Sequence, residues 1–233
     1  MKKVDHRKMD ILKIIVEEYI TTWEVTGSKS LLKKHDLKVS PATVRNDMAS
    51  LEKIGLIFQP YNSAGRLPTT EWIRVFVDYL MEELPWYFLD WESKYEEVSS
   101  ERNIDDVLYE LVARLTKTTK EITFACVPSH AKSYYLGLSN FLEKNSLILW
   151  DEIYNVIKVL ENKYHFIDLL ENLNINKKVS VFIGKENIIE SLESYTMIVK
   201  KVSFMGQEWY IWILGSLCMD YSFNIAALKN ILR

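Results

Sequence analysis

Arg45 and Asn46 stand side by side in SPATVRNDMASLEK, residues 40–53, a run of mostly short, polar and basic residues. Wound as a helix with Val44, Met48 and Leu51 inward, this run turns Ala42, Asn46, Ala49 and Lys53 outward, with Thr43, Arg45 and Ser50 flanking them. Small side chains permit close approach to another surface. Asn can pair bidentately with adenine, and Arg with guanine or a phosphate. At the start of the helix, beside Ser40, unpaired N–H groups favour an anion. The same residues also suit an ordinary solvated helix face, and the pattern alone does not choose between the two. A loop some ten residues further on, NSAGR at 62–66, bears on the choice. It holds Ser63 and presents Arg66 as if at a tip, where a guanidinium suits a narrow minor groove. The plainer reading is a turn with an incidental charge. Taken together, helix and loop favour nucleic-acid binding.

Other reactive residue types are present without a site around them. Ser129 and Lys132 fit a Ser-x-x-Lys nucleophile pattern, but so do Ser30 with Lys33 and Ser50 with Lys53, so the pattern carries little. Cys126 and His130 are near in sequence, yet Cys126 lies in an apolar, strand-like run. There is no P-loop, no dinucleotide-binding glycine motif and no zinc-ligand spacing. We expect no enzyme, no cofactor and no metal. A ligand-gated regulator is the alternative reading, with Trp150, Trp209, Trp212 and the tyrosines as possible pocket walls. Such residues are also ordinary core and interface material.

The elements that must position these residues follow from hydrophobic period and breakers. Residues 5–22 read as an amphipathic helix with Ile11, Ile14, Ile15, Tyr19 and Ile20 on its apolar side. Ser28 is expected to cap a short helix, 29–35. Ser40 and Pro41 open the next helix, as N-cap and first helical residue, and Gly55 ends it near Ile54. Short strands at 56–59 and 67–69 flank the loop, and a helix follows over 71–84. Three helices and a two-stranded hairpin make the order of a winged helix-turn-helix. Further on, helices are expected at 104–116, 149–173 and 221–232, and strands at 122–127, 179–183, 195–204 and 208–214. The fold class is α+β. Residues 1–84 form the winged-helix domain, 85–103 a linker or linking helix, and 104–233 a second α+β domain.

Composition agrees with this division. The chain has 233 residues, 48% hydrophobic and 26% charged, the balance of a globular protein. Residues 1–70 carry 12 Lys and Arg against 8 Asp and Glu, a net charge of +4, while the remainder carries a net −7. A basic front on an acidic body fits a polyanion-binding module. Cys126 and Cys218 read as free thiols of a reducing compartment. No segment is apolar for the ~20 residues a bilayer requires. The basic, Glu-interrupted N-terminus reads as a mature helix rather than a targeting signal. These features place the protein in the cytoplasm.

Beyond these readings, residues 39–48 (VSPATVRNDM), Leu51-Glu52, residues 55–57 (GLI), residues 63–66 (SAGR) and Pro68-Thr69 closely resemble the DNA-binding region of the HrcA heat-inducible transcription repressors. Tyr61 and Asn62 depart from the His-Thr of that pattern. The likeness continues through Phe76-Val-Asp78, residues 181–187 (VFIGKEN) and residues 213–221 (ILGSLCMDY), where Ser216 replaces a Pro and Cys218 an Arg. The resemblance implies a GAF-like second domain that lacks most of the inserted dimerising domain of the family, since Val127 is followed almost directly by residues 135–140 (YLGLSN). It further implies repression of chaperone genes by a homodimer on an inverted-repeat CIRCE operator of double-stranded DNA, with the chaperonin as a possible partner. Residues expected at DNA are Ser40, Ala42, Thr43, Arg45, Asn46, Ala49, Ser50, Lys53, Ser63 and Arg66.

Overall fold

A computed structural model describes residues 5–22, 25–35, 37–61, 64–83, 103–144, 150–162, 168, 175, 179–187, 189–204 and 206–231. The chain divides into two compact units, Met1–Leu84 and Pro85–Arg233. The expected linker over 85–103 lies outside the described residues except for Asn103. So does most of the expected helix beyond residue 162.

In the first unit, helices α1 (His6–Thr22), α2 (Ser28–Lys34) and α3 (Pro41–Lys53) precede strands β1 (Ile57–Phe58) and β2 (Leu67–Pro68) and helix α4 (Thr70–Glu83). Helix α1 buries Ile11, Leu12, Ile15 and Val16. Its apolar side is therefore turned from the expected one, with Leu12 and Val16 inward and Ile14 and Tyr19 only half-buried. Ser28 does not cap α2: the cap position belongs to Gly27, and Ser28 is the first helical residue. Ser40 does cap α3, its Oγ accepting from the Thr43 N–H at 3.1 Å, with Pro41 next.

The end of α3 fixes the path into the hairpin. Gly55 adopts φ +78°. Its N–H donates to the Glu52 carbonyl at 2.9 Å, and the Leu56 N–H to the Leu51 carbonyl at 3.1 Å. This double closure needs a left-handed residue, which glycine supplies without strain. The Leu56 carbonyl then accepts from Thr69 N–H at 3.1 Å. Thr69 in turn caps α4, its Oγ1 accepting from the Trp72 N–H at 3.3 Å. Helix end, hairpin and next helix thus share one hydrogen-bonded corner.

The second unit is built on a five-stranded antiparallel sheet in the order β4-β3-β7-β6-β5. Its strands are β3 (Ile122–Val127), β4 (Lys132–Leu136), β5 (Val179–Ile183), β6 (Tyr195–Phe204) and β7 (Gln207–Ser216). Helices α5 (Ile104–Thr119), α6 (Leu138–Lys144), α7 (Trp150–Glu161) and α8 (Tyr221–Asn230) complete the unit. One sheet face carries Phe124, Cys126, Met197, Val199, Tyr210 and Trp212 against Phe141 of α6 and Val156 and Leu160 of α7. Helices α5 and α8 pack on the sheet and on each other. Burial on both faces explains why YIWIL reads as an unbroken apolar run and ITFACV as one interrupted only by Thr123, whose buried hydroxyl donates to the Val112 carbonyl. Lys200, itself buried, donates to the carbonyls of Lys229 and Ile231 at 3.0 and 2.7 Å, at the end of α8. There its positive charge meets the negative end of the helix dipole. No described helix is long and apolar enough to cross a membrane.

Candidate nucleic-acid interface

Helix α3 has two faces with opposite chemistry. Val44, Met48 and Leu51 are buried. Ala42, Arg45, Asn46, Ala49 and Lys53 are exposed. These positions recur at helical spacing, so they form one stripe down the solvent side. Thr43 and Ser50 are half-buried along its margin. Ser40 is exposed, but its hydroxyl is engaged as the helix cap and lies 2.9 Å from the Thr43 hydroxyl. Ser63 lies outside the described residues. Arg45 makes no ion pair with another described residue.

Arg66 closes the loop, directly before strand β2, and its side chain is already engaged. There its backbone bridges Thr26, with N···O distances of 3.1 and 2.9 Å. Its guanidinium is held by Glu52 of α3, with Nη2 and Nε 2.9 and 3.1 Å from Oε2. Gly65 makes this approach possible: a Cβ there would lie 2.6 Å from the Thr26 carbonyl carbon.

A second ion pair locks the buried side of α3. Asp47 accepts from Arg7 Nε at 2.8 Å and Nη2 at 3.2 Å. The hydrogen bond, and then the charge of Asp47, raise the Arg7 guanidinium above its ordinary value. Asp47 lies three residues after Val44 and four before Leu51, on the core side of the pattern. A carboxylate in such a position needs a partner, and that is the signal available in the sequence. Nothing local points to Arg7, 40 positions away.

Among the reactive residues named from the sequence, Ser129 and Lys132 each have another partner. Ser129 Oγ hydrogen-bonds Gln207 Oε1 at 2.6 Å, and Lys132 pairs with Asp105. Cys126 is buried in β3 while His130 is exposed. Both cysteines are unbridged. Among the described residues no group of three or more His, Cys, Asp or Glu side chains is placed to hold a metal ion.

Fold and surface together define an α+β protein whose first unit exposes a helix face of small, amide and basic side chains. The family described as HrcA protein C terminal domain matches residues 76–225, more than half of the chain. The chain is 41% identical over 130 residues to the heat-inducible transcription repressor HrcA of Acidothermus cellulolyticus, covering 56% of this chain and 38% of that one. With the corresponding protein of Thermobifida fusca it shares 39% over 130 residues, again 56% and 38% of the two chains. The match thus spans well under half the length of these relatives. A crystal structure described as that of a hypothetical protein superposes with TM-score 0.77 at 17% identity, covering 99% of this chain and 97% of that one. This chain belongs to the HrcA family.

Proposed function

We propose that the chain is a sequence-specific repressor of heat-shock (chaperone) genes that binds duplex DNA. Residues 1–84 are read as a winged helix-turn-helix domain and residues 104–233 as a GAF-like regulatory domain, with 85–103 linking them. The single observation that carries the reading is the exposed stripe of Ala42, Arg45, Asn46, Ala49 and Lys53 on a helix fixed from behind. A major groove admits an α-helix, small residues let it sit close, and Asn and Arg have the donor geometry to read adenine and guanine edges. On this reading the two-stranded hairpin, extended by the bridge to Thr26, is the wing.

On this reading the chain binds as a homodimer to an inverted-repeat operator of the CIRCE type, because two-fold proteins present paired recognition helices to half-sites. The relatives are described as heat-inducible transcription repressors, which supports the choice of target genes. Only residues 128–131 separate β3 from β4, which agrees with a GAF-like domain lacking most of the inserted dimerising domain. Control by a chaperonin and a cytoplasmic location follow from the same family reading. Selection of bound sequences from a random duplex pool tests it. An enriched inverted repeat is expected; no enrichment would refute DNA reading, and a lone half-site would refute the two-fold arrangement.

A further inference from the structure

Arg66 is a cation of the hairpin that already has an anion. Its side chain is 18% exposed and that of Glu52 is 35% exposed, and they meet through Oε2 at the last turn of α3. Glu52 is the residue before Lys53, the C-terminal member of the exposed stripe. The pair therefore joins the helix to the hairpin at the border of the proposed interface. A carboxylate in that position does two opposed things to an approaching phosphate: it holds the guanidinium in place, and it occupies the charge that the phosphate would use.

We infer that Glu52 is a built-in competitor for DNA: its carboxylate holds Arg66 in the DNA-free chain, and a backbone phosphate of the duplex takes its place when the hairpin docks. This rests on the reading of the first unit as a duplex-binding domain. Partly exposed ion pairs are weak and exchangeable. Guanidinium binds phosphate with the same fork of donors that it offers a carboxylate. The exchange therefore lets Arg66 change partners with little backbone movement, since the Thr26 bridge holds its main chain throughout. The consequence is a repressor whose unspecific affinity is lowered. Separating Glu52 from Arg66 costs free energy on every duplex, and only docking that also satisfies the α3 stripe offsets it.

The test is a salt titration of the full chain on operator and on scrambled duplex, for the parent and for E52Q. Glutamine keeps the shape and removes the competing charge. E52Q is expected to bind both duplexes about two- to five-fold more tightly, the range of an exchangeable surface pair. Both chains place Arg66 on the same phosphate once docked, so the slope of log K against log salt is expected to stay the same while affinity rises at every salt concentration. The gain should vanish in the E52Q/R66Q double variant. Equal or weaker binding by E52Q, with unchanged thermal unfolding, overturns the inference. The unmodified chain gives an independent readout: the Arg66 Nε–H resonance should shift when operator saturates the protein. An unmoved resonance in a chain that binds operator defeats the exchange while leaving the DNA-binding reading intact. A chain that binds neither duplex defeats both.

Discussion

At Arg45 the guanidinium makes no ion pair with another described residue, and Asn46 beside it is exposed. Their side chains reach outward from a helix that is capped, terminated and pinned at Asp47, so little backbone ordering remains to be done on binding. On the proposed function, Arg45→Ala and Asn46→Ala each weaken operator binding by about 1–3 kcal/mol, the worth of a bidentate base contact. Titrations on operator and scrambled duplexes separate the roles, because equal losses on both would assign these residues to phosphate rather than bases. At this scale the sequence is legible where the chemistry is local. Ser40 as cap and Gly55 as terminator are each settled by neighbours within a turn. The partners of Asp47 and Arg66 are not legible, because Arg7 and Glu52 are 40 and 14 positions away, and other basic residues could have met Asp47 and other acidic ones Arg66.

Between elements, the hairpin depends on one glycine. The side chain of an alanine at 65 would meet the backbone of Thr26 at 2.6 Å, and backbone cannot swing aside as a flexible side chain can. Gly65→Ala should therefore break or lengthen the Thr26–Arg66 bridge and cost about 1–3 kcal/mol, the usual range for forced overpacking. Thermal unfolding measures the cost, and amide exchange at Thr26 and Arg66 locates it; protected amides in the variant would show that the loop accommodates the methyl. Helices α1 and α2 are joined by a different device. Glu18 meets Lys34 and also His35, the latter at 3.1 Å. The Lys34 hydrogen bond, seconded by His35, holds the Glu18 carboxyl below its ordinary value against the opposing effect of burial. A lowered folded-state pKa gives stability that is complete above the unfolded-chain value of ~4.3 and is lost as pH falls through it towards the folded value. Glu18→Gln should thus lower the melting temperature at pH 7, and the difference from the parent should shrink as pH falls below the unfolded-chain value of ~4.3; a constant difference from neutral to acid pH would contradict the assignment. Strands β3, β5 and β6 can be bounded from their apolar runs. Strand β4 and helix α6 cannot. The first is a sheet-edge strand, KSYYL, with no fully buried residue, and the second is a seven-residue helix. Neither is long or apolar enough to show a period.

For the whole molecule, the division of charge is legible in the residues alone, while the full strand order β4-β3-β7-β6-β5 is not, since the β3–β7 pairing that joins its two halves links distant segments. The charge division bears on assembly. Residues 1–70 carry a net +4, so two copies brought together without DNA repel. Much of their aliphatic surface is also committed: Ile11, Leu12, Ile15, Leu31, Val44, Leu51 and Ile57 are all buried within the unit. Self-association, which a two-fold operator complex requires, is therefore expected to reside in the second unit. A fragment of residues 1–84 should sediment as a monomer at micromolar concentration, while the full chain is expected to sediment as a dimer. Its affinity for a duplex carrying both half-sites should then match its affinity for a single half-site, because the gain from binding two sites at once is lost with the link between them. A dimeric fragment would move the two-fold contact into the first unit, and the geometry of the paired recognition helices would have to be rebuilt from there.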